Sequence, residues 1–95
     1  MTARQLAETL SGIEKADVDY PARYILVLEA LALAVESGYD AGIRIDPVDP
    51  TWPVVYIELP TGQVSWHMPE HKLPWDGHTT EDKYARIREF AEGVR

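Results

Sequence analysis

Residues 54–68 read VVYIELPTGQVSWHM, two runs of strict alternation on either side of a Pro-Thr-Gly turn. Val55, Ile57 and Leu59 alternate with Tyr56 and Glu58, and Val64, Trp66 and Met68 alternate with Gln63, Ser65 and His67. A period of two marks strands with one buried face, and Pro60, Thr61 and Gly62 supply turn chemistry, so the stretch is expected to be a β-hairpin. Pairing Leu59 with Val64 puts Leu59, Ile57 and Val55 on one face with Val64, Trp66 and Met68. The other face then carries Tyr56, Glu58, Ser65 and His67, with Glu58 across from Ser65 and Tyr56 across from His67. A three-residue loop with Gly62 in a bulge would pair Leu59 with Gln63 and mix the faces, so the first register is preferred.

Upstream, GIRID alternates Ile43 and Ile45 with Arg44 and Asp46, a further strand. Pro47, Asp49, Pro50 and Pro53 punctuate the connection to the hairpin, and Pro53, which cannot donate to a ladder, belongs at a strand start or edge. Earlier still the period becomes helical. A second helix starts at Pro21 and runs to Gly38, a left-handed cap, with Tyr24, Leu28, Leu31 and Val35 in one stripe that Ile25, Val27 and Leu33 widen. So broad a stripe predicts a central helix covered on most sides. Thr2 and Gln5 at capping-box spacing, Leu6 and Leu10 one turn apart, and Gly12 as a stop outline a short first helix. Downstream, Pro69, Pro74 and Gly77 keep the chain irregular until Thr79 or Thr80 caps a last helix with Tyr84, Ile87, Ala91 and Val94 on its apolar face. The expected order is α-α-β-β-β-α: an α+β domain with a small, mainly antiparallel three-stranded sheet and helices packed on one face.

Ninety-five residues allow one domain, residues 1–95, with one modest core. The absence of cysteine excludes disulfides and thiolate metal sites and fits a reducing cytoplasm. A net charge of −7 disfavours phosphate backbones and anionic lipid, so no direct contact with nucleic acid is expected. The longest apolar run, Tyr24 to Leu28, is interrupted by Glu29, and no membrane association is expected. Such a chain folds alone or as a small homo-oligomer.

Chemistry concentrates in residues 59–84, LPTGQVSWHMPEHKLPWDGHTTEDKY, which hold all three histidines and two of the three tryptophans. His67, His71 and His78, with Glu70 and Asp76 nearby, contain enough donors for a divalent cation, but Pro69 between His67 and His71 forbids the helical turn that would converge them. Solvated or hydrogen-bonded histidines are the simpler reading, and no cofactor is expected. Glu58, Ser65 and His67 are the parts of an activated nucleophile, yet Ser65 and His67 lie on one strand about 6–7 Å apart, with no strained elbow around the serine. His67 is the candidate general base if there is one. In WDGHTT, Asp76 and Gly77 favour a turn that would present Trp75 and His78 beside the N-terminus of the last helix. The competing reading makes Asp76, Thr79 and Thr80 capping groups and Trp75 a hydrophobic lid.

LPTGQVSWHMP followed by WDGHTTEDKYARI resembles the tail shared by a family of small proteins from actinobacterial and other phages, prophages and their hosts. Pro60, Gly62, Trp66, His67, Trp75, Asp76, Gly77, His78, Lys83 and Tyr84 carry the match, which covers roughly the C-terminal half and leaves the N-terminal helices outside. The resemblance implies a phage-associated context and no particular reaction.

Three functions follow as expectations. The first is a binding module: Tyr56 and Trp75 supply flat surface, His67, His78, Glu58, Ser65 and Asp76 hydrogen bonds, and Lys83 or Arg44 a counter-charge for a small polar ligand, such as a nucleotide signal, or for a host defence protein. It would act in the cytoplasm, that of the host if phage-encoded. The second, weaker expectation is a metal-dependent or His-assisted hydrolase using His67, His78, Asp76 and Glu58. A third is an acidic adaptor whose apolar second helix meets a partner.

Overall fold

The computed structural model describes residues 2–15, 20–45, 53–67 and 80–94. They follow the expected order: α1 (Thr2–Lys15), α2 (Tyr20–Glu36), β1 (Ala41–Ile45), β2 (Pro53–Leu59), β3 (Gly62–His67) and α3 (Thr80–Gly93). The sheet is antiparallel throughout with β2 in the middle. Val55, Ile57, Leu59, Val64 and Trp66 turn toward the helices and form one core with them. The α2 and α3 helices contact the sheet, and α1 packs on both.

Helix α1 runs past Gly12, where the sequence suggested a stop. Ile13 is the reason: with Leu6 and Leu10 it completes an i, i+4, i+7 stripe, and all three are fully buried. Burying an isoleucine gains about 1.5–3 kcal/mol, more than the roughly 1 kcal/mol a mid-helix glycine costs. Helix α2 ends as expected at Gly38, whose φ is +85°. Gly38 N–H donates to the Val35 carbonyl at 3.1 Å and Tyr39 N–H to the Ala34 carbonyl at 3.0 Å, the paired bonds of a Schellman cap. Its covered face is narrower than expected. Val27, Ala30 and Ala34 are buried, with two alanines allowing close approach, whereas Ile25 and Val35 lie open to solvent.

The hairpin is tighter than the preferred register. Leu59 faces Gly62, Glu58 faces Gln63, Ile57 faces Val64, Tyr56 faces Ser65, Val55 faces Trp66 and Val54 faces His67. A shift of two residues keeps every side chain on its expected face and changes only who sits opposite whom. Glu58 is therefore not across from Ser65, nor Tyr56 from His67. The turn shortens to Pro60–Thr61 because Gly62 enters the strand at φ +128°, a backbone state other residues avoid. Helix α3 holds that turn: Thr61 Oγ1 donates to the Arg86 carbonyl at 2.7 Å, and the Arg86 side chain lies where a Gly62 Cβ would be, 2.8 Å from its Cδ.

Glu58 N–H donates to the Asp40 carbonyl at 2.8 Å, and this bond sets the phase of both ladders. Hydrogen-bonded pairs alternate with non-bonded ones in an antiparallel sheet, so Tyr56 and Glu58 turn their backbone groups to β1. Their opposite numbers on β3, Ser65 and Gln63, must then point their carbonyls off the outer edge of the sheet.

Candidate functional site

On the face away from the helices, the pleat brings Arg44, Tyr56, Glu58 and Gln63 together. The Tyr56 ring lies over Gly42, where a Cβ would sit 3.5 Å from ring atoms. The Arg44 guanidinium stacks 4.9 Å from the ring centroid, an interaction contributing about 0.5–1 kcal/mol at an exposed site. Hydrogen bonds extend the cluster. Tyr56 Oη donates to Asp40 Oδ1 at 3.1 Å, Arg44 Nη2 to Gln63 Oε1 at 2.9 Å, and Gln63 Nε2 to Glu58 Oε1 at 2.5 Å. Donation to the Asp40 carboxylate holds the Tyr56 phenol above its ordinary pKa, with desolvation and the Asp40 charge acting the same way. The cluster is a flat aromatic surface carrying one guanidinium and two carboxylates, with its polar groups already oriented.

A second constellation lies at the β3 edge. Lys83, in the first turns of α3, is only 4% exposed, and its Nζ donates to the outward-pointing Ser65 carbonyl at 3.2 Å. The ammonium is 5.1 Å from the centroid of Trp66 and 5.8 Å from that of Tyr84. A buried cation is tolerated only when hydrogen-bonded and electrostatically matched, and the carbonyl and two ring faces serve that need. One turn on, Arg86 Nη1 donates to the Gln63 carbonyl at 3.1 Å. Lys83 and Arg86 thus take the outward carbonyls of Ser65 and Gln63 and cover that edge. Trp66, itself 4% exposed, keeps one donor unused: its Nε1 is buried and has no acceptor. An unmatched buried N–H costs about 1–3 kcal/mol.

Of the residues expected to form the site, Arg44, Tyr56 and Glu58 share one network, joined by Asp40 and Gln63, which the sequence reading had not assigned to the site. Their signal was the parity of the strands, which places Gln63 between Arg44 and Glu58 only in the tighter register. Ser65 is on the same side but buried, and it faces Tyr56. Lys83 approaches from α3 and is not part of the Arg44 cluster. His67 ends β3 opposite Val54. Its imidazole, together with Glu70, His71, Trp75, Asp76 and His78, lies outside the described residues, so the expected metal set and the WDGH turn do as well. Among the described residues no group of three or more His, Asp or Glu side chains could hold a metal ion, and no helix is long and apolar enough to cross a membrane.

A protein-family model described as "WDGH domain" matches residues 7–90. The chain belongs to this family. The match takes in most of α1 and all of α2, which the resemblance of the C-terminal half had left out. No curated protein and no solved structure matches the chain.

Proposed function

We propose that this WDGH-domain protein is a binding module, acting in a phage or prophage setting in the host cytoplasm, that takes a small polar ligand with an acceptor group such as a phosphate or carboxylate. The observation that carries this reading is the buried Trp66 indole, whose Nε1–H has no acceptor and whose ring centroid lies 5.1 Å from the Lys83 ammonium. An unmatched donor beside a cation favours an anionic acceptor, and a nucleotide signal, with phosphate and a flat base, would suit both the donor and the aromatic rings. The sequence places this constellation at either end of residues 68–79, the stretch that contains Trp75, Asp76 and His78. The hydrolase reading has less support, since Ser65 is buried and faces Tyr56, with no carboxylate opposite it.

Native mass spectrometry of the purified protein beside its denatured mass, followed by thermal shift against nucleotides and simple phosphate esters, tests the proposal. A ligand at a hundred times its Kd adds about 2.7 kcal/mol to stability, which raises the melting temperature of a domain this size by several degrees. Lys83→Met and the Trp75→Ala/His78→Ala pair should each abolish that shift while remaining folded. Bare protein whose melting temperature ignores the whole panel would overturn the reading.

A further inference from the structure

We infer that the open edge of β1 is a self-association surface, on which two copies of the chain pair antiparallel and merge their sheets into one of six strands. The two edges of the sheet are treated differently. On β3 the outward carbonyls of Ser65 and Gln63 are taken by Lys83 and Arg86. On β1 nothing comparable is present among the described residues. The Asp40–Glu58 bond makes Gly42 and Arg44 point their backbone groups to β2, which leaves the N–H and C=O groups of Ala41, Ile43 and Ile45 directed off the edge. The same strand exposes large apolar side chains on its helix-facing side, Ile43 at 55% and Ile45 at 62%. Unpaired backbone beside exposed isoleucine is a template for another strand, and such edges are ordinarily blunted by lysine, proline or a covering element.

Charge selects the occupant and the register. Pairing the outward residues of one β1 with those of another admits three central alignments. With Arg44 opposite Arg44, like charges meet. Centred on Ile43, Arg44 faces Gly42 and finds no counter-charge on the strand. Centred on Gly42, Asp40 faces Arg44 of the second copy twice over, Ala41 faces Ile43, and Tyr39 faces Ile45. Only the last is complementary on both faces: two opposite-charge pairs on the polar side, formed as Arg44 turns from Gln63 to the edge, apolar pairs on the helix side, and two glycines at the axis where strands approach most closely. Each copy carries −7, but that repulsion is screened beyond about 8 Å at physiological ionic strength.

Sedimentation equilibrium of the full chain at physiological salt, from low to high micromolar, tests the inference. Wild type should dimerise, and Ile43→Lys/Ile45→Lys should be monomeric with an unchanged circular dichroism spectrum. Arg44→Asp should weaken the dimer by about tenfold or more, as two attractive pairs become repulsive, and Asp40→Arg/Arg44→Asp should restore it. A wild type that stays monomeric throughout overturns the surface, as does a dimer indifferent to the two lysines. A double charge reversal that fails to rescue a folded single variant overturns the register.

Discussion

Replacing Gly62, the half-buried first residue of β3, by alanine should be strongly destabilising. The residue sits at φ +128°, and its missing Cβ would lie 2.8 Å from Cδ and 2.9 Å from Nε of Arg86. Holding a non-glycine residue in that backbone region costs about 1–3 kcal/mol. Arg86 must also move, and its Nη1 bond to the Gln63 carbonyl, a charge-assisted contact of the class that contributes about 1.5–3 kcal/mol, is weakened or lost. The sum, about 2.5–6 kcal/mol when that bond is lost, is a large part of the roughly 5–15 kcal/mol that holds a typical domain together. In urea, where small proteins lose about 1–3 kcal/mol per molar, the midpoint should fall by about 1 M or more at constant m. A double-mutant cycle separates the causes. In an Arg86→Ala background the clash is gone, so Gly62→Ala should cost only its backbone part, with a coupling of about 1–2 kcal/mol between the sites. A loss below about 0.5 kcal/mol, or an equal loss in both backgrounds, would refute the reasoning.

Two further outcomes follow from the core and from the polar face. Leu10→Ala, at a fully buried position between helices, should cost about 2–5 kcal/mol by urea denaturation, and a value under about 1 kcal/mol would mean that α1 is not docked as described. The Tyr56 phenol, raised because it donates to Asp40, favours its protonated form in the fold. Its contribution to stability is complete below the ordinary tyrosine pKa of about 10 and disappears as pH climbs through the raised value. Ultraviolet titration of wild type minus Tyr56→Phe should show that late midpoint, and Asp40→Asn should bring it down; an unshifted midpoint in wild type would contradict the hydrogen bond.

Periodicity made the element order and the two faces of the hairpin legible, because alternation over 54–67 and the helical stripes of α1 and α3 answer to burial directly. Register was less legible. Parity alone does not distinguish alignments that differ by two, and what selects between them is the fit of Gly62 under Arg86, a contact made across the fold by a residue on α3. The end of α1 was misjudged for a related reason: Gly12 is a local stop signal, and Ile13 overrides it only once the core exists. Within the site, Arg44, Tyr56 and Glu58 could be grouped from strand alternation. The burial of Lys83 could not, since a lysine in a helix beginning TEDKY reads as solvated until the edge carbonyls of β3 are seen to need donors.

Among the described residues, hydrogen bonds from Thr61 to Arg86, Arg86 to Gln63 and Lys83 to Ser65 join the last helix to the hairpin across 25, 23 and 18 residues of chain. Contacts so far apart in sequence are rewarded only after the chain between them has closed, whereas the hairpin closes over a two-residue turn. The hairpin should therefore form before α3 docks, and pulsed hydrogen exchange during refolding should protect β2 and β3 ahead of the last helix.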